Sequence, residues 1–256
     1  MPPILSASLA INHCGDEVDL TLRCIQNADL EVTVFICDIS PDELTSERLK
    51  WSFPGVIVLP QGKNTGVSLA HNAVLPHLQS KYHLFLDPGV SFHPSLLRTM
   101  VSYMEAHPNI AVLSPRFFRE NGQELFFPRR QISLRYMLGT ALAGFGGCFR
   151  HWNMEYTFAD NDVEMPAPVD SAPVTFLLVR TGVFSSLNGF DPAFTSTQED
   201  ADLCRRIQEQ RLGSVVFHPD MAVYCRLPDA EHFSRTARTH RLRTVLRYFM
   251  KWGITW

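Results

Sequence analysis

VTVFICDISPDELTSERLKWSFPGVIVLP, residues 32–60, reads as a strand, a helix and a strand in succession. Val32 to Cys37 is β-branched and aromatic, which suits a buried strand. Pro41 to Lys50 has helical character with acids near its start, where the helix dipole favours negative charge. Val56 to Leu59 is a second short apolar run. Two strands joined through a helix are the unit that pairs parallel, because a parallel neighbour needs a long crossover.

The same alternation extends to both sides. Leu5 to Ile11 reads as a strand, and Asp16 to Asn27, with Val18, Leu20, Leu22 and Ile25, as a helix. Downstream come a helix at Gly66 to Leu78, a strand at His83 to Leu86, a helix at Pro94 to His107 and a strand at Ile110 to Ser114. This rhythm predicts an α/β chain with a mostly parallel central sheet flanked by helices. Residues 116–165 break it with aromatics, Arg pairs and glycines. It resumes with a strand at Val174 to Val179, helices at Thr181 to Leu187 and Ala201 to Gln210, and a strand at Ser214 to Phe217. With no internal repeat or low-complexity linker, the expectation is one domain over 1–256, made of residues 1–115, 116–231 and a tail at 232–256.

Composition sets outer limits. The 256 residues are 45% hydrophobic and 19% charged, with 23 basic and 26 acidic residues and a net charge of −3. Such usage excludes wholesale disorder, a collagen-like fibre and a coiled-coil rod, and the near-neutral balance argues against coating nucleic acid. In mid-chain the uncharged, apolar stretch Tyr136 to Phe149 has 14 residues, against the roughly 20 a membrane span needs. The opening MPPILSASLAINHCGDE lacks a positive start and reads as a first strand, not a signal peptide. Six cysteines form no C-x-x-C pair, which argues against a disulfide framework or zinc site and fits a reducing cytosol.

Open α/β sheets bind ligands at the carboxyl ends of their strands. The residues there are Asn12 and His13, then Asp38 and Ser40, then residues 62–66, then Asp87-Pro88-Gly89. The first turn, NHCGDE, lacks G-x-G-x-x-G, and no P-loop pattern occurs, which speaks against a dinucleotide dehydrogenase and a P-loop phosphotransferase. Asp38 reads either as a turn or cap residue or as a carboxylate for a base or ribose. KNTGVSLAHNAVL (63–75) places Asn64, Gly66, Ala70 and Asn72 so that both amides reach one ligand or brace one loop. Asp87 lies where a diphosphate and its metal would lie, or simply begins a turn. In LNGFDPAFTSTQEDADLCRRI (187–207), Glu199, Asp200 and Asp202 either complement a helix dipole or supply a general base.

Together these segments resemble glycosyltransferase family 2 over about residues 4–226. The matching pieces are Asn12, Asp38-Ile39-Ser40, Asn64/Gly66/Ala70/Asn72, Asp87-Pro88-Gly89, Gly189-Phe190-Asp191, and Glu199-Asp200-x-Asp202-Leu203-Cys204-x-Arg206. LRYMLG (134–139) and the tail around His240 and Arg247-Tyr248 resemble the short bacterial rhamnosyltransferases of O-antigen and cell-wall polysaccharide assembly. The resemblance implies a GT-A-type nucleotide-diphospho-sugar transferase domain. It implies inverting transfer, with dTDP-rhamnose as donor and a lipid-linked or oligosaccharide acceptor. Asp200, with Glu199 beside it, would be the base. Asn12, Asp38, Ser40, Asn64, Gly66, Asn72, Asp87 and Gly89 would bind the nucleotide-sugar.

Mg²⁺ or Mn²⁺ is implied on Asp87, yet the acid that usually closes the motif is here Gly89. The His expected after the following strand is also absent from Val223-Tyr224-Cys225-Arg226, and Asp170 to Val174 stands where Trp and Gly-Ala are usual. Three alternatives follow: His218 or His232 completes a site with Asp87, Arg226 and other cations replace the metal, or the chain is a catalytically impaired binding or scaffold module. The tail, with six basic residues and no acid over 232–256, reads as a helix packed on its own domain or as a contact with an anionic membrane. No recognition motif for nucleic acid accompanies it. The expected location is cytoplasmic, peripheral on the inner face of the plasma membrane.

Overall fold

Four parallel strands form one half of the sheet: β1 (Leu5–Ile11), β2 (Val32–Asp38), β3 (Ile57–Pro60) and β4 (Tyr82–Leu86). The structure, a computed structural model, describes residues 3–12, 15–40, 43–61, 66–125, 128–159, 163–194, 197–226 and 235–256, without the side chains of 43–46, 67–68 and 235–241. The helices between these strands are α1 (Asp16–Gln26), α2 (Glu43–Ser52) and α3 (Val67–Asn72). The helix expected to run to Leu78 stops at Asn72 and continues as a 3-10 turn, Leu75–His77. Pro76 has no N–H to donate and cannot extend an α-helix.

The other half is mixed. It comprises β5 (Val90–Phe92), α4 (Leu96–Ala106), β6 (Ile110–Arg119), β7 (Glu124–Leu125), α5 (Leu134–Leu142), α6 (Gly147–Tyr156), β8 (Ala167–Pro168), β9 (Phe176–Arg180), α7 (Thr181–Ser186), α8 (Glu199–Glu209), β10 (Ser214–Cys225) and α9 (Arg235–Trp252). The order across the sheet is β3-β2-β1-β4-β9-β6-β10-β5. β9 runs antiparallel to both β4 and β6, whereas β6 and β10 pair parallel. β6 and β10 outrun the expected strands because they pair with each other past Pro115, through a register shift between His218 and Ala222.

Both faces of the sheet are covered, so β1 is buried at all its positions. One face packs Leu5, Ala7, Leu9 and Ile11 against α1, α2 and α4 through Val18, Leu22, Leu49 and Met100. On the other, Phe85, Val112 and Leu177 meet Phe184, Leu203 and Ile207 of α7 and α8. A polar chain also crosses the core: Ser80 Oγ to Ser6 Oγ (2.6 Å), Ser6 Oγ to His83 Nδ1 (2.7 Å), His83 Nε2 to Ser8 Oγ (2.8 Å) and Ser8 Oγ to His71 Nδ1 (2.8 Å). Ser80 Oγ donates to the Tyr82 carbonyl, so each later member has one consistent direction and both imidazoles protonate on Nδ1. Burial drives both histidines down to about 3, which keeps them neutral.

The region where the rhythm fails holds the α5–α6 hairpin. Gly139 makes it: a Cβ there would lie 2.7 Å from Trp152 Cβ, so only glycine lets the helices touch this closely. In α9, Thr244, Val245 and Tyr248 are buried, whereas Leu242, Leu246 and Met250 face outward. Among the described residues no helix is long and apolar enough to cross a membrane. The five described cysteines carry free thiols.

Candidate active site

The register brings the expected residues to one rim. Ile11 pairs with Asp38, and Asp38 with Pro60. Leu9 of β1 pairs with Leu86, the residue before Asp87. Asn12 is exposed at this rim, and Asp38 is buried. Asp38 Oδ1 accepts from Ser40 N at 2.9 Å and Ser40 Oγ at 2.5 Å. The turn reading of Asp38 is therefore realised, and that turn holds its carboxylate at the sheet's mouth. Gly66 is the N-cap of α3. Asn64, like His13 and His232, lies outside the described residues.

Of the two roles the spacing left to Asn72, the structure assigns bracing. Its Nδ2 donates to the Phe190 carbonyl at 2.8 Å, and its Oδ1 accepts from Phe190 N at 2.8 Å. α3 is thereby tied to the Gly189-Phe190-Asp191 turn. Gly189 has φ +77, and a Cβ on it would stand 2.3 Å from Asn72 Oδ1.

Asp87 is tied to the chain segment ahead of β9. Its Oδ2 accepts from Thr175 Oγ1 at 2.7 Å, and its N–H donates to the Thr175 carbonyl at 3.0 Å. Burial pushes its carboxyl above the usual range against the pull of the Thr175 hydroxyl. Gly89 has φ +83, donates to the Glu17 carbonyl and accepts from Arg226 N. A Cβ there would meet Arg226 Cβ at 3.2 Å. The position that would carry a second acid is thus a left-handed backbone pressed against β10's end, where glycine fits and aspartate is strained.

The described residues do not fit a divalent cation. Mg²⁺ and Mn²⁺ favour several oxygen ligands, and no group of three His, Cys, Asp or Glu able to hold a metal occurs among the described residues. His218 packs edge-on against Tyr103 of α4 at 4.7 Å. By register with β6 it lies four steps from Cys225, beside Asp87, a separation of about 13 Å. Arg226 donates from Nε to Glu120 at 2.5 Å.

Asp200 opens α8. The residue before Glu199, Gln198, has φ +70, an uncommon conformation for a non-glycine residue and one that clusters at functional sites. Asp200 Oδ1 accepts from Ala201 N at 2.7 Å. Burial raises its carboxyl, opposed by the Ala201 N–H and by the positive charge of Arg129. Glu199 beside it is half-buried. Arg129 is the residue that sequence reasoning missed. Its backbone bridges Ser171 in both directions, at 2.9 and 3.0 Å, and its guanidinium donates to Pro128 O and lies over Tyr156. Residues 170–175 therefore connect the segment holding Arg129 to Asp87, through Ser171 and Thr175. Only the Arg pair at 129–130 hinted at this, and nothing in it pointed to Asp200.

Asp202 turns away from the rim. It is fully buried and accepts from Arg206 Nε at 2.8 Å, Lys251 Nζ at 2.7 Å and Trp252 Nε1 at 2.9 Å. Arg206 also donates to the Leu187 and Gly189 carbonyls, and Lys251 to Asp191 at 2.5 Å. Burial works against ionisation of Asp191, but Lys251 and the Ala193 N–H outweigh it and hold its carboxyl below the usual range. One network thus joins α3, the Gly189 turn, α8 and α9.

Comparison with known proteins agrees with this architecture. The profile described as Glycosyl transferase family 2 matches residues 14–184. The chain is 25% identical to rhamnosyltransferase WbbL of Escherichia coli (strain K12) over 254 residues, 95% of this chain and 92% of that one. Among solved structures it is similar in fold to the mannosyltransferase PcManGT from Pyrobaculum calidifontis, in complex with GDP-Man and Mn²⁺, with a TM-score of 0.64 at 13% identity, covering 98% of this chain and 64% of that one. It is also similar to GalNAc-T7 with UDP, GalNAc and Mn²⁺, with a TM-score of 0.66 at 13% identity, covering 96% of this chain and 48% of that one.

Proposed function

The chain belongs to glycosyl transferase family 2 and is a glycosyltransferase, and from that premise we propose that it transfers L-rhamnose from dTDP-rhamnose, with inversion, to a lipid-linked or oligosaccharide acceptor in bacterial surface polysaccharide synthesis. Similarity to a rhamnosyltransferase along nearly the full length supports the choice of sugar. The observation that carries the mechanism is Asp200: a half-buried carboxylate in the first turn of α8, behind a left-handed residue, with its pKa raised by desolvation.

In this reading Asp200 takes the proton of an acceptor hydroxyl. The oxygen attacks the anomeric carbon, and the bond to the nucleoside diphosphate breaks on the opposite side. A base with a pKa raised toward the working pH is both ionised and basic enough to help. Asn12, Asp38, Ser40, Gly66, Asp87 and Gly89 form the donor side of one working domain, with Asn72 bracing it to the acceptor side; Asn64 is assigned to donor binding from the sequence motif alone. Arg129 supplies positive charge close to the base. The basic tail holds the protein against the anionic cytoplasmic face of the membrane, where a lipid-linked acceptor would lie.

The test is transfer from a panel of nucleotide-sugars to a saccharide acceptor, with and without Mn²⁺. The expected result is turnover with dTDP-rhamnose above all other donors; turnover only with a different donor overturns the assignment. A second reading, a binding module without turnover, is favoured by the incomplete metal ligands. It predicts donor binding and no product under every condition.

A further inference from the structure

Residues 125–154 and 232–256 contain ten of the chain's 23 basic residues and none of its 26 acids. They are far apart in sequence, yet the fold joins them. Leu134 N donates to the Thr255 carbonyl at 2.8 Å, Thr255 Oγ1 donates to the Ile132 carbonyl at 3.3 Å, and Trp152 packs edge-on to Trp256 at 6.2 Å. The uncharged stretch noted in the sequence is the inner part of the α5–α6 hairpin. Its tip presents Phe145, 85% exposed, between Gly144 and Gly146, around neither of which anything lies within 4 Å of where a Cβ would be.

The segment after α9 meets this hairpin, and α9 with that segment turns an apolar line outward: Leu242, Leu246 and Met250 of the helix and Ile254 and Trp256 beyond it are all more than half exposed. Arg243 and Arg247 are exposed alongside them, and Arg150 on α6. Soluble surfaces normally mix both signs of charge and scatter their apolar side chains. Large exposed apolar groups set among cations of one sign are the surface that an anionic bilayer selects. The rings and aliphatic chains enter the headgroup boundary, and the arginines meet lipid phosphates.

We propose that the α5–α6 hairpin is a second membrane-contacting element, with Phe145 as its inserting side chain, acting together with α9 on an anionic lipid surface. The inference deepens the membrane contact proposed above and rests on that reading. It adds a specific anchor that the tail alone does not supply. Two anchors far apart along the chain orient the molecule, whereas a single helix would only tether it.

The experiment is co-sedimentation of the full chain with vesicles of phosphatidylcholine, alone or mixed with phosphatidylglycerol, comparing wild type and Phe145→Ser. Phe145 is so exposed that its removal leaves the fold intact. Wild type is expected to bind the anionic vesicles and release them at high salt, and Phe145→Ser to bind about tenfold more weakly. Equal binding by both proteins overturns the hairpin's role and leaves the tail contact standing. Equal wild-type binding to neutral and anionic vesicles overturns the anionic specificity. Absence of wild-type binding overturns both membrane readings, and transfer to a soluble saccharide acceptor then judges the enzymatic reading separately.

Discussion

The indole N–H of Trp252 donates to Asp202 Oδ1 at 2.9 Å across 50 positions of the chain. Lys251 donates to the same oxygen at 2.7 Å. The helix that carries Asp200 is therefore fastened to the last helix of the protein by a carboxylate two residues farther on. Breaking a buried ion network by removing one member costs about 3–5 kcal/mol, and losing one neutral hydrogen bond about 1 kcal/mol. Asp202→Ala is expected to lower the unfolding free energy by the larger amount and Trp252→Phe by the smaller, read from urea denaturation. In Trp252→Phe, turnover falls while donor affinity holds. An Asp202→Ala protein as stable as wild type contradicts the anchoring role.

Gly189 and Asn72 make the second joint. A methyl group at Gly189 would stand 2.3 Å from Asn72 Oδ1, on a backbone at φ +77. Gly189→Ala is expected to destabilise by about 2–3 kcal/mol through overpacking and strain. Part of that loss is the collision itself, so adding Asn72→Ala should cost less than it does alone. A double-mutant cycle measures the coupling, and strict additivity contradicts the clamp.

Legibility followed locality. Apart from the three-residue β5, the strands up to Ile110 and the helices between them declare themselves because each is an uninterrupted apolar run or an amphipathic period. β6 and β10 continue past Ser114 and Phe217 only because each supplies the other's hydrogen bonds, which no single segment can reveal. The α5–α6 hairpin hid for a similar reason. Its stability depends on Gly139 meeting Trp152, and glycine reads locally as a helix breaker. At the candidate site, the positions of Asp38 and Asp87 after strands were legible, whereas Asp200 was singled out from Glu199 and Asp202 at the same helix start only by the family resemblance. Arg129 was not legible, because its place beside Asp200 arises from a backbone bridge to Ser171.

Ionisation of Asp200 sets a pH dependence with a definite sign. Burial raises its pKa, while Ala201 N–H and Arg129 pull it down. A base must be charged to accept a proton, so kcat/KM should rise with pH through a value above the usual carboxylate range. Arg129→Gln removes one of the opposing influences and should move that limb to higher pH, with unchanged secondary structure. The same burial affects stability. For a carboxylate raised in the folded state, its favourable contribution is full below the unfolded pKa and is lost as pH rises through the folded one. A pH profile identical in Arg129→Gln and wild type contradicts the electrostatic link.

Metal response follows from Gly89. With one described carboxylate at the diphosphate position and an arginine Cβ where a second acid would begin, donor affinity should change by less than about threefold between EDTA and Mn²⁺. Gly89→Asp is not expected to build a site, since an aspartate at φ +83 beside Arg226 is strained; it should lower stability instead. Calorimetric titration in the two conditions checks this, and a gain of about tenfold or more with Mn²⁺, near 1.4 kcal/mol, contradicts it.

Asp200→Asn tests the central claim most directly. It keeps the shape and removes the ionisable group, and the partly desolvated site that disfavours the charged carboxylate tolerates a neutral amide. The measurement is rhamnose transfer from dTDP-rhamnose, paired with calorimetric donor affinity on the same protein. The account predicts a loss in turnover of about 10²- to 10⁴-fold with donor affinity essentially that of wild type. Turnover within about threefold of wild type, a difference below 1 kcal/mol in the barrier, would contradict the assignment of Asp200 as the base.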